Sequence, residues 1–198
     1  ALLAEQPGFA PALHLAGVVA ASHDDPERAV IEIAARLGFA DRESERIIGR
    51  LLAEDPARAA SVQLATKFMP MPWKLDVRKE LLASLRASLD RLGVGRVDLY
   101  QIHGPVSLRG QGALADALAA AHQEGLVRTV GVSNYSVRET RSMDAQLRKR
   151  GLRLASNQIE FSLLRTRPES SGLLATCAEL GIVPLAYSPI GQGRLTGK

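Results

Sequence analysis

The chain has 198 residues, of which 46% are hydrophobic and 23% charged, with 17 Gly and 10 Pro; this is a globular composition and excludes a disordered, collagenous or coiled-coil chain. Its length fits one domain more readily than two. Basic residues outnumber acidic ones by 25 − 21 = 4, but they are spread along the chain without interleaved aromatics, so no nucleic-acid partner is expected.

A single Cys excludes an internal disulfide, and no Cys/His spacing suits zinc, which fits a reducing compartment. The apolar stretch over residues 11–21 is shorter than the roughly 20 residues a membrane helix needs. No basic segment precedes it, as a signal peptide would require. A cytoplasmic protein with no membrane partner is therefore expected.

Taken in chain order, residues 1–22 carry little pattern. Asp25-Pro26-Glu27 reads as an N-cap with proline in the first turn, opening a helix through Arg36 and Leu37 that stops at Gly38. A second helix is expected over 42–54, and the residues between the two leave no room for a strand. Five short apolar runs follow, partly β-branched and bounded by turn residues, at 62–68, 97–103, 129–134, 155–161 and 183–188. None alternates as a solvated sheet does, so each reads as a buried strand. Between them leucines recur at helical spacing: Leu81, Leu82, Leu85, Leu89 and Leu92, then Leu114 and Leu118, with Met143 and Leu147 completing the pattern. Asp76 is an expected N-cap, and Ser136 with Glu139 an expected capping box. Gly93, Gly125, Gly151 and Gly181 each follow a helical run, where glycine alone takes a left-handed conformation without a Cβ penalty.

Strand-helix units of this size imply parallel strands joined by helical crossovers. An open doubly wound sheet should show Gly-x-Gly-x-x-Gly after a strand, and no strand here is followed by that spacing. The α/β class expected is therefore a partial (β/α)8 barrel with about five recognisable strands and helices outside. Lys67, His103, Asn134, Gln158 and Tyr187 all fall at or near the carboxyl ends of their strands, which in a barrel surround one mouth.

Those residues carry the candidate chemistry. A partly desolvated Lys67 ammonium can polarise a carbonyl oxygen, although a lysine at a strand end also reads as one snorkelling to water. His103, before Gly104-Pro105, can donate a hydrogen bond to a developing oxyanion or serve as a structural group. Ser133 and Asn134, with Gln158 one strand later, suit an amide such as the nicotinamide carboxamide, which donates and accepts; helix capping is the other reading. Tyr187 can stack on a flat heterocycle or fill the core. The glycine-rich segment 191–198 allows close backbone approach, and Arg194 and Lys198 can meet phosphate oxygens, but the Walker spacing is lacking. Cys177 reads as a small core residue, and Arg148-Lys149-Arg150 as a solvated helix end.

Ala65-Thr66-Lys67, Tyr100-Gln101-Ile102-His103, Gly131-Val132-Ser133-Asn134, Ser156-Asn157-Gln158 and Ala186-Tyr187-Ser188-Pro189 resemble, in order and spacing, the motifs of the aldo-keto reductases. The resemblance covers residues 42–198, and the segment 67–73 is similar to the plant and cyanobacterial branch with pyridoxal-reductase-like members. It implies a (β/α)8 barrel that binds NADPH and reduces small-molecule aldehydes or ketones to alcohols. By position, Lys67 and His103 would be catalytic, Ser133, Asn134 and Gln158 would hold the carboxamide, and Tyr187 would stack on the nicotinamide. Ser188, Pro189, Ile190, Gly191 and Gly193, with Lys198, would line the pyrophosphate.

One departure stands out. Where the family has a strand ending in Asp-Thr-Ala and then Tyr-Gly, supplying an aspartate and a tyrosine acid, this chain has Gly38-Phe39-Ala40-Asp41-Arg42. Asp41 can be offered as the aspartate, but all three tyrosines lie in other matched motifs. The expectation is a single incomplete domain over 1–198, atypical over 1–41 through deletion or a shifted reading frame, with weak or no turnover. The alternative is an inactive nucleotide-binding or interaction protein. The sequence leaves oligomeric state open.

Overall fold

The computed structural model describes residues 16–17, 21–22, 25–33, 41–73 and 75–195. Its elements, in chain order, begin with strands β1 (Ala16–Gly17), β2 (Ala21–Ser22) and β3 (Asp25–Ile33), then helices α1 (Asp41–Glu54) and α2 (Pro56–Ser61). Regular alternation follows: β4 (Val62–Phe68), α3 (Val77–Leu92), β5 (Val97–Ile102), α4 (Gln111–Gln123), β6 (Val127–Ser133), α5 (Val137–Arg148) and β7 (Leu154–Glu160). Two short helices, α6 (Arg167–Ser170) and α7 (Leu173–Leu180), lead to β8 (Val183–Tyr187).

The strands form one sheet in the order β1-β3-β4-β5-β6-β7-β8, with β2 also on β3. From β3 to β8 every neighbouring pair is parallel, whereas β1 and β2 run antiparallel to β3. The fold is a partial (β/α)8 barrel, and all five strands expected from the sequence are present within one or two residues.

The helix expected from Asp25 is not formed; residues 25–33 are strand β3 instead. Asp25-Pro26-Glu27 is a good local helix start, but Ala29, Val30, Ile31 and Glu32 pair in parallel with Val62 to Ala65 of β4. The β-branched run and its long-range hydrogen bonds outweigh the capping signal. The break in the strand-helix rhythm expected before residue 42 therefore disappears, because β3 precedes α1 and α2 as a strand should.

Helix boundaries follow the expected chemistry. The Asp76 carboxylate accepts from the Lys79 N–H at 3.0 Å, and Ser136 and Glu139 form both halves of a capping box. Gly93, Gly125, Gly151 and Gly181 all take left-handed φ values, from 67° to 73°. The helices bury Leu81, Leu85, Leu114, Leu118, Met143 and Leu147 against the sheet, together with Cys177 of α7. Arg148 and Lys149 at the end of α5 are exposed, as expected, and the run is also paired: Arg148 with Asp144, and Arg150 with Asp116 and the Gly112 carbonyl of α4.

Register divides each strand's side chains into two faces. Thr66 and Tyr100 are register partners, and Thr66 bonds Glu45 of α1, so this row faces the helices. The next row, Lys67, Gln101, Gly131 and Ser156, lies on the other face. It is tightly packed: a Cβ on Gly131 would come within 2.4 Å of Ser156 Oγ and 3.1 Å of Gln101 Cγ. Gln101 Nε2 donates to the Val132 carbonyl and to Ser156 Oγ, both at 3.3 Å. A glycine is needed at 131 because its neighbours' side chains occupy the space.

Candidate active site

The row facing away from the helices carries the candidate site. Lys67 is only 7% exposed although it ends a strand, so the snorkelling reading fails. His103 follows β5 directly, and its backbone N–H donates to the Phe68 carbonyl at 2.9 Å, continuing the β4–β5 ladder one residue further. Lys67, level with Gln101, thus sits two residues deeper than His103 at the same rim. They are close enough to interact: burial, with the Lys67 charge behind it, lowers the His103 imidazole from 6.5 to about 4. Its Nδ1 is buried with no hydrogen-bond partner among the described residues. A neutral imidazole beside an ammonium can donate one hydrogen bond to a polarised oxygen without itself being charged.

The same rim continues across β6 and β7. Ser133 is the register partner of Gln158, and both are buried. Ser133 Oγ donates to the Gln158 carbonyl at 3.1 Å, and the Asn134 N–H donates to the same oxygen at 2.7 Å. Asn134 has φ 59°, a left-handed conformation uncommon for a residue with a side chain, and its carboxamide is exposed at the mouth. Asn134 Nδ2 donates to Ser133 Oγ at 3.2 Å, while the Tyr187 hydroxyl donates to Asn134 Oδ1 at 3.1 Å. Ser133, Asn134, Gln158 and Tyr187 therefore form one polar cluster, as their strand-end positions suggested. Beyond it, Ser188, Gly191 and Gly193 have φ of 53°, 60° and 91°, with Pro189 and Ile190 exposed between them. Lys198, expected to line a pyrophosphate, lies outside the described residues.

No tyrosine hydroxyl stands beside Lys67 and His103. Tyr100 and Tyr135 are buried, and burial raises both phenols far above their ordinary range. The Tyr100 hydroxyl lies beside Ser84, and that of Tyr135 beside Gln111, but neither makes a hydrogen bond of good geometry. Tyr187, which engages Asn134, is also raised, chiefly by burial. Asp41 is the first residue of α1.

The sequence reading missed two polar residues that hold this rim from behind. Glu45 is buried on α1 and accepts from Thr66 Oγ1 at 3.0 Å and from Arg91 Nε at 2.5 Å. Asn157 is fully buried and bonds the backbone of Tyr135. Strand alternation was the available signal: a polar residue next to an inward-facing one points at the helices and needs a partner there.

The sequence profile of the aldo/keto reductase family matches residues 32–198. The chain belongs to this family. The match begins inside β3, ten residues ahead of where the motif resemblance starts. Pyridoxal reductase, chloroplastic, from Arabidopsis thaliana is 36% identical over 167 residues, covering 81% of this chain and 46% of the relative. L-glyceraldehyde 3-phosphate reductase of Escherichia coli (strain K12) is 36% identical over 173 residues, covering 84% of this chain and 50% of the relative. Among solved structures, the thermostable aldo-keto reductase Tm1743 aligns with TM-score 0.69 and 28% identity over 76% of this chain and 52% of its own. An aldo/keto reductase from Klebsiella pneumoniae, crystallised with NADP and acetate, aligns with TM-score 0.69 and 25% identity over 85% of this chain and 56% of its own. The chain thus spans about half the length of the relatives it matches. No helix among the described residues is long and apolar enough to cross a membrane.

Proposed function

We propose that this chain reduces aldehydes and ketones to alcohols with NADPH, at a site where Lys67 and His103 are the catalytic pair. The observation that carries the reading is their adjacency at one rim, with His103 held neutral and Ser133, Asn134, Gln158 and Tyr187 along the same edge. The residues fit the cofactor's carboxamide, which needs donors and acceptors together: the exposed Asn134 side chain offers both, and Ser133 Oγ and the Gln158 side chain flank it. Tyr187 offers a ring face, and the left-handed residues Ser188, Gly191, Gln192 and Gly193 give the segment a turning backbone suited to approach a pyrophosphate. When bound, the reduced nicotinamide supplies a hydride to the carbonyl carbon. His103 donates a hydrogen bond to the carbonyl oxygen, and the Lys67 ammonium stabilises the negative charge that gathers there. With no tyrosine in reach, the proton on that oxygen comes from Lys67 or from water.

Loss of a positioned general acid costs roughly 10²- to 10⁴-fold in rate. The expected result in an assay of NADPH oxidation at 340 nm, with pyridoxal or 4-nitrobenzaldehyde, is therefore slow turnover, abolished by Lys67→Met and by His103→Ala. A rate ordinary for a reductase, about 10 s⁻¹, would refute the missing-acid argument. Failure to bind NADPH, read as no quenching of the largely exposed Trp73, would refute the reductase reading itself. A second reading, a nucleotide-binding protein without turnover, draws on the tyrosine hydroxyls lying beside Ser84, Gln111 and Asn134 instead of the pair; binding with no oxidation of NADPH would decide for it. The chain is further proposed to be a single domain over 1–198, on the strength of the family match over residues 32–198, and to work in a reducing, cytoplasmic compartment, on the strength of its single, buried Cys177.

A further inference from the structure

We infer that Asn157 is a positioning residue, clamping the corner at 133–135 so that Ser133 and Asn134 are set for a carboxamide; this rests on the reading of those two side chains as the carboxamide subsite. Asn157 and Gln158 are consecutive in β7 and therefore face opposite ways. Gln158 lies on the site's face, while Asn157 points at the helices with no exposed surface. A buried carboxamide must have its donors and acceptor satisfied, and Asn157 spends two of its three bonds on one corner and the third on the helix that follows it. Its Oδ1 accepts from the Tyr135 N–H at 3.4 Å, and its Nδ2 donates to the Tyr135 carbonyl at 3.0 Å and to Thr140 Oγ1 of α5 at 3.0 Å.

The side chain thus acts as one more strand partner for Tyr135, the residue directly after Asn134. Asn134 holds φ 59°, a strained conformation for a residue with a Cβ that persists only where its surroundings fix it. On one side it is held by the Gln158 carbonyl, which takes both the Asn134 N–H and Ser133 Oγ. On the other side the hold is Asn157. Two neighbouring residues of β7 therefore grip the corner from its two faces, Gln158 through its backbone carbonyl and Asn157 through its side chain.

The test compares Asn157→Ala with Thr140→Val. The second removes a hydrogen bond from the same cluster but leaves both Tyr135 contacts intact, so it controls for stability alone. Calorimetry gives dissociation constants for NADP⁺ and for its 3-acetylpyridine analogue, which keeps a carbonyl but lacks the amide N–H₂. One lost hydrogen bond of about 1.4 kcal/mol is tenfold, so the parent and Thr140→Val should prefer NADP⁺ about tenfold, and Asn157→Ala should lose that preference. Amide hydrogen exchange, run without nucleotide, should show the Asn134 and Tyr135 N–H groups exchanging at least tenfold faster in Asn157→Ala than in Thr140→Val. An unchanged preference, or unchanged exchange at those two amides, overturns the inference. If the parent chain binds neither nucleotide, the carboxamide reading falls while the exchange data still decide whether Asn157 fixes the corner. Should Asn157→Ala fail to fold, Asn157→Ser, too short to span both Tyr135 atoms, takes its place with the same expectations.

Discussion

The juxtaposition of Lys67 and His103 can be tested without cofactor, substrate or turnover, by removing the lysine's charge and watching the histidine titrate. His103 is lowered from 6.5 to about 4, first by burial and second by Lys67. Lys67→Met keeps the length of the side chain and deletes the charge, so it should raise the His103 value while leaving the burial contribution in place. As the smaller cause, Lys67 accounts for less than half of the difference, so His103 should rise in Lys67→Met but stay well below 6.5. The chain has four histidines, at 14, 23, 103 and 122, so the Cε1–H resonances can be followed by NMR from pH 3 to 8 and assigned with His103→Gln. The linkage to stability has a definite sign. Below pH 6.5 the unfolded chain takes up a proton that folded His103 refuses, so its contribution is complete above that pH and is lost as pH falls from 6.5 to about 4. At full strength that difference would be ~3 kcal/mol, and partial exposure of the imidazole reduces it to ~1–2 kcal/mol. Urea denaturation at pH 7 and pH 4 should therefore show a larger acid loss in the parent than in His103→Gln, with Lys67→Met between them. A His103 that titrates near 6.5 in the parent, or one indifferent to Lys67→Met, would refute the geometry on which the site is built.

Two stability predictions follow from the packing on either face of the sheet. Gly131→Ala places a Cβ 2.4 Å from Ser156 Oγ, and such overpacking should cost about 1–3 kcal/mol in urea denaturation; Ser156→Gly should recover part of it, and additive costs in the double variant would show that the two residues do not collide. Glu45→Ala leaves the Arg91 guanidinium, whose side chain is 21% exposed, without its carboxylate, at an expected cost of about 3 kcal/mol. Glu45→Ala/Arg91→Leu should be more stable than Glu45→Ala alone, and a double variant less stable than both singles would remove the ion pair as the cause.

The later strands were legible because each is a short apolar run closed by a polar residue and a turn, and the helices because their ends carry chemistry found nowhere else. Asp76, Ser136 with Glu139, and the four glycines each act within a few residues of their own position, and local signals of that kind can be read from sequence. The segment at 25–33 failed for the opposite reason. Its N-cap and proline are local, but what decides its structure is a partner strand about 33 residues away, and no local pattern records which strand will be adjacent. Among site residues, Lys67, His103, Ser133, Asn134, Gln158 and Tyr187 were legible as polar groups at strand ends. Glu45 and Asn157 were not: one sits inside an amphipathic helix as an ordinary acidic residue, and the other was quoted only as part of a motif. Their partners, Thr66 and Tyr135, lie 21 and 22 residues away.

These omissions share a geometric cause that bears on how the site is held. Consecutive residues of a strand face opposite ways, so each strand that brings a polar residue to the rim also sends its neighbour toward the helices. In β4, Lys67 faces the site and Thr66 is bonded by Glu45 of α1. In β7, Gln158 faces the site and Asn157 is bonded into the corner that leads to α5. In β5, Gln101 packs beneath the rim while Tyr100 is buried near the Glu45–Arg91 pair. The helix-facing residue is in each case buried, and in β4 and β7 it is also hydrogen-bonded, so the backbone that carries the rim is fixed from outside while its side chains stay available inside. This separation explains how a rim assembled from several strands can present the exposed Asn134 and the part-exposed His103 without the strands shifting past one another. It also implies that substitutions on the outer face reach the site through backbone position, altering discrimination between ligands, whereas substitutions on the inner face remove the groups that touch them.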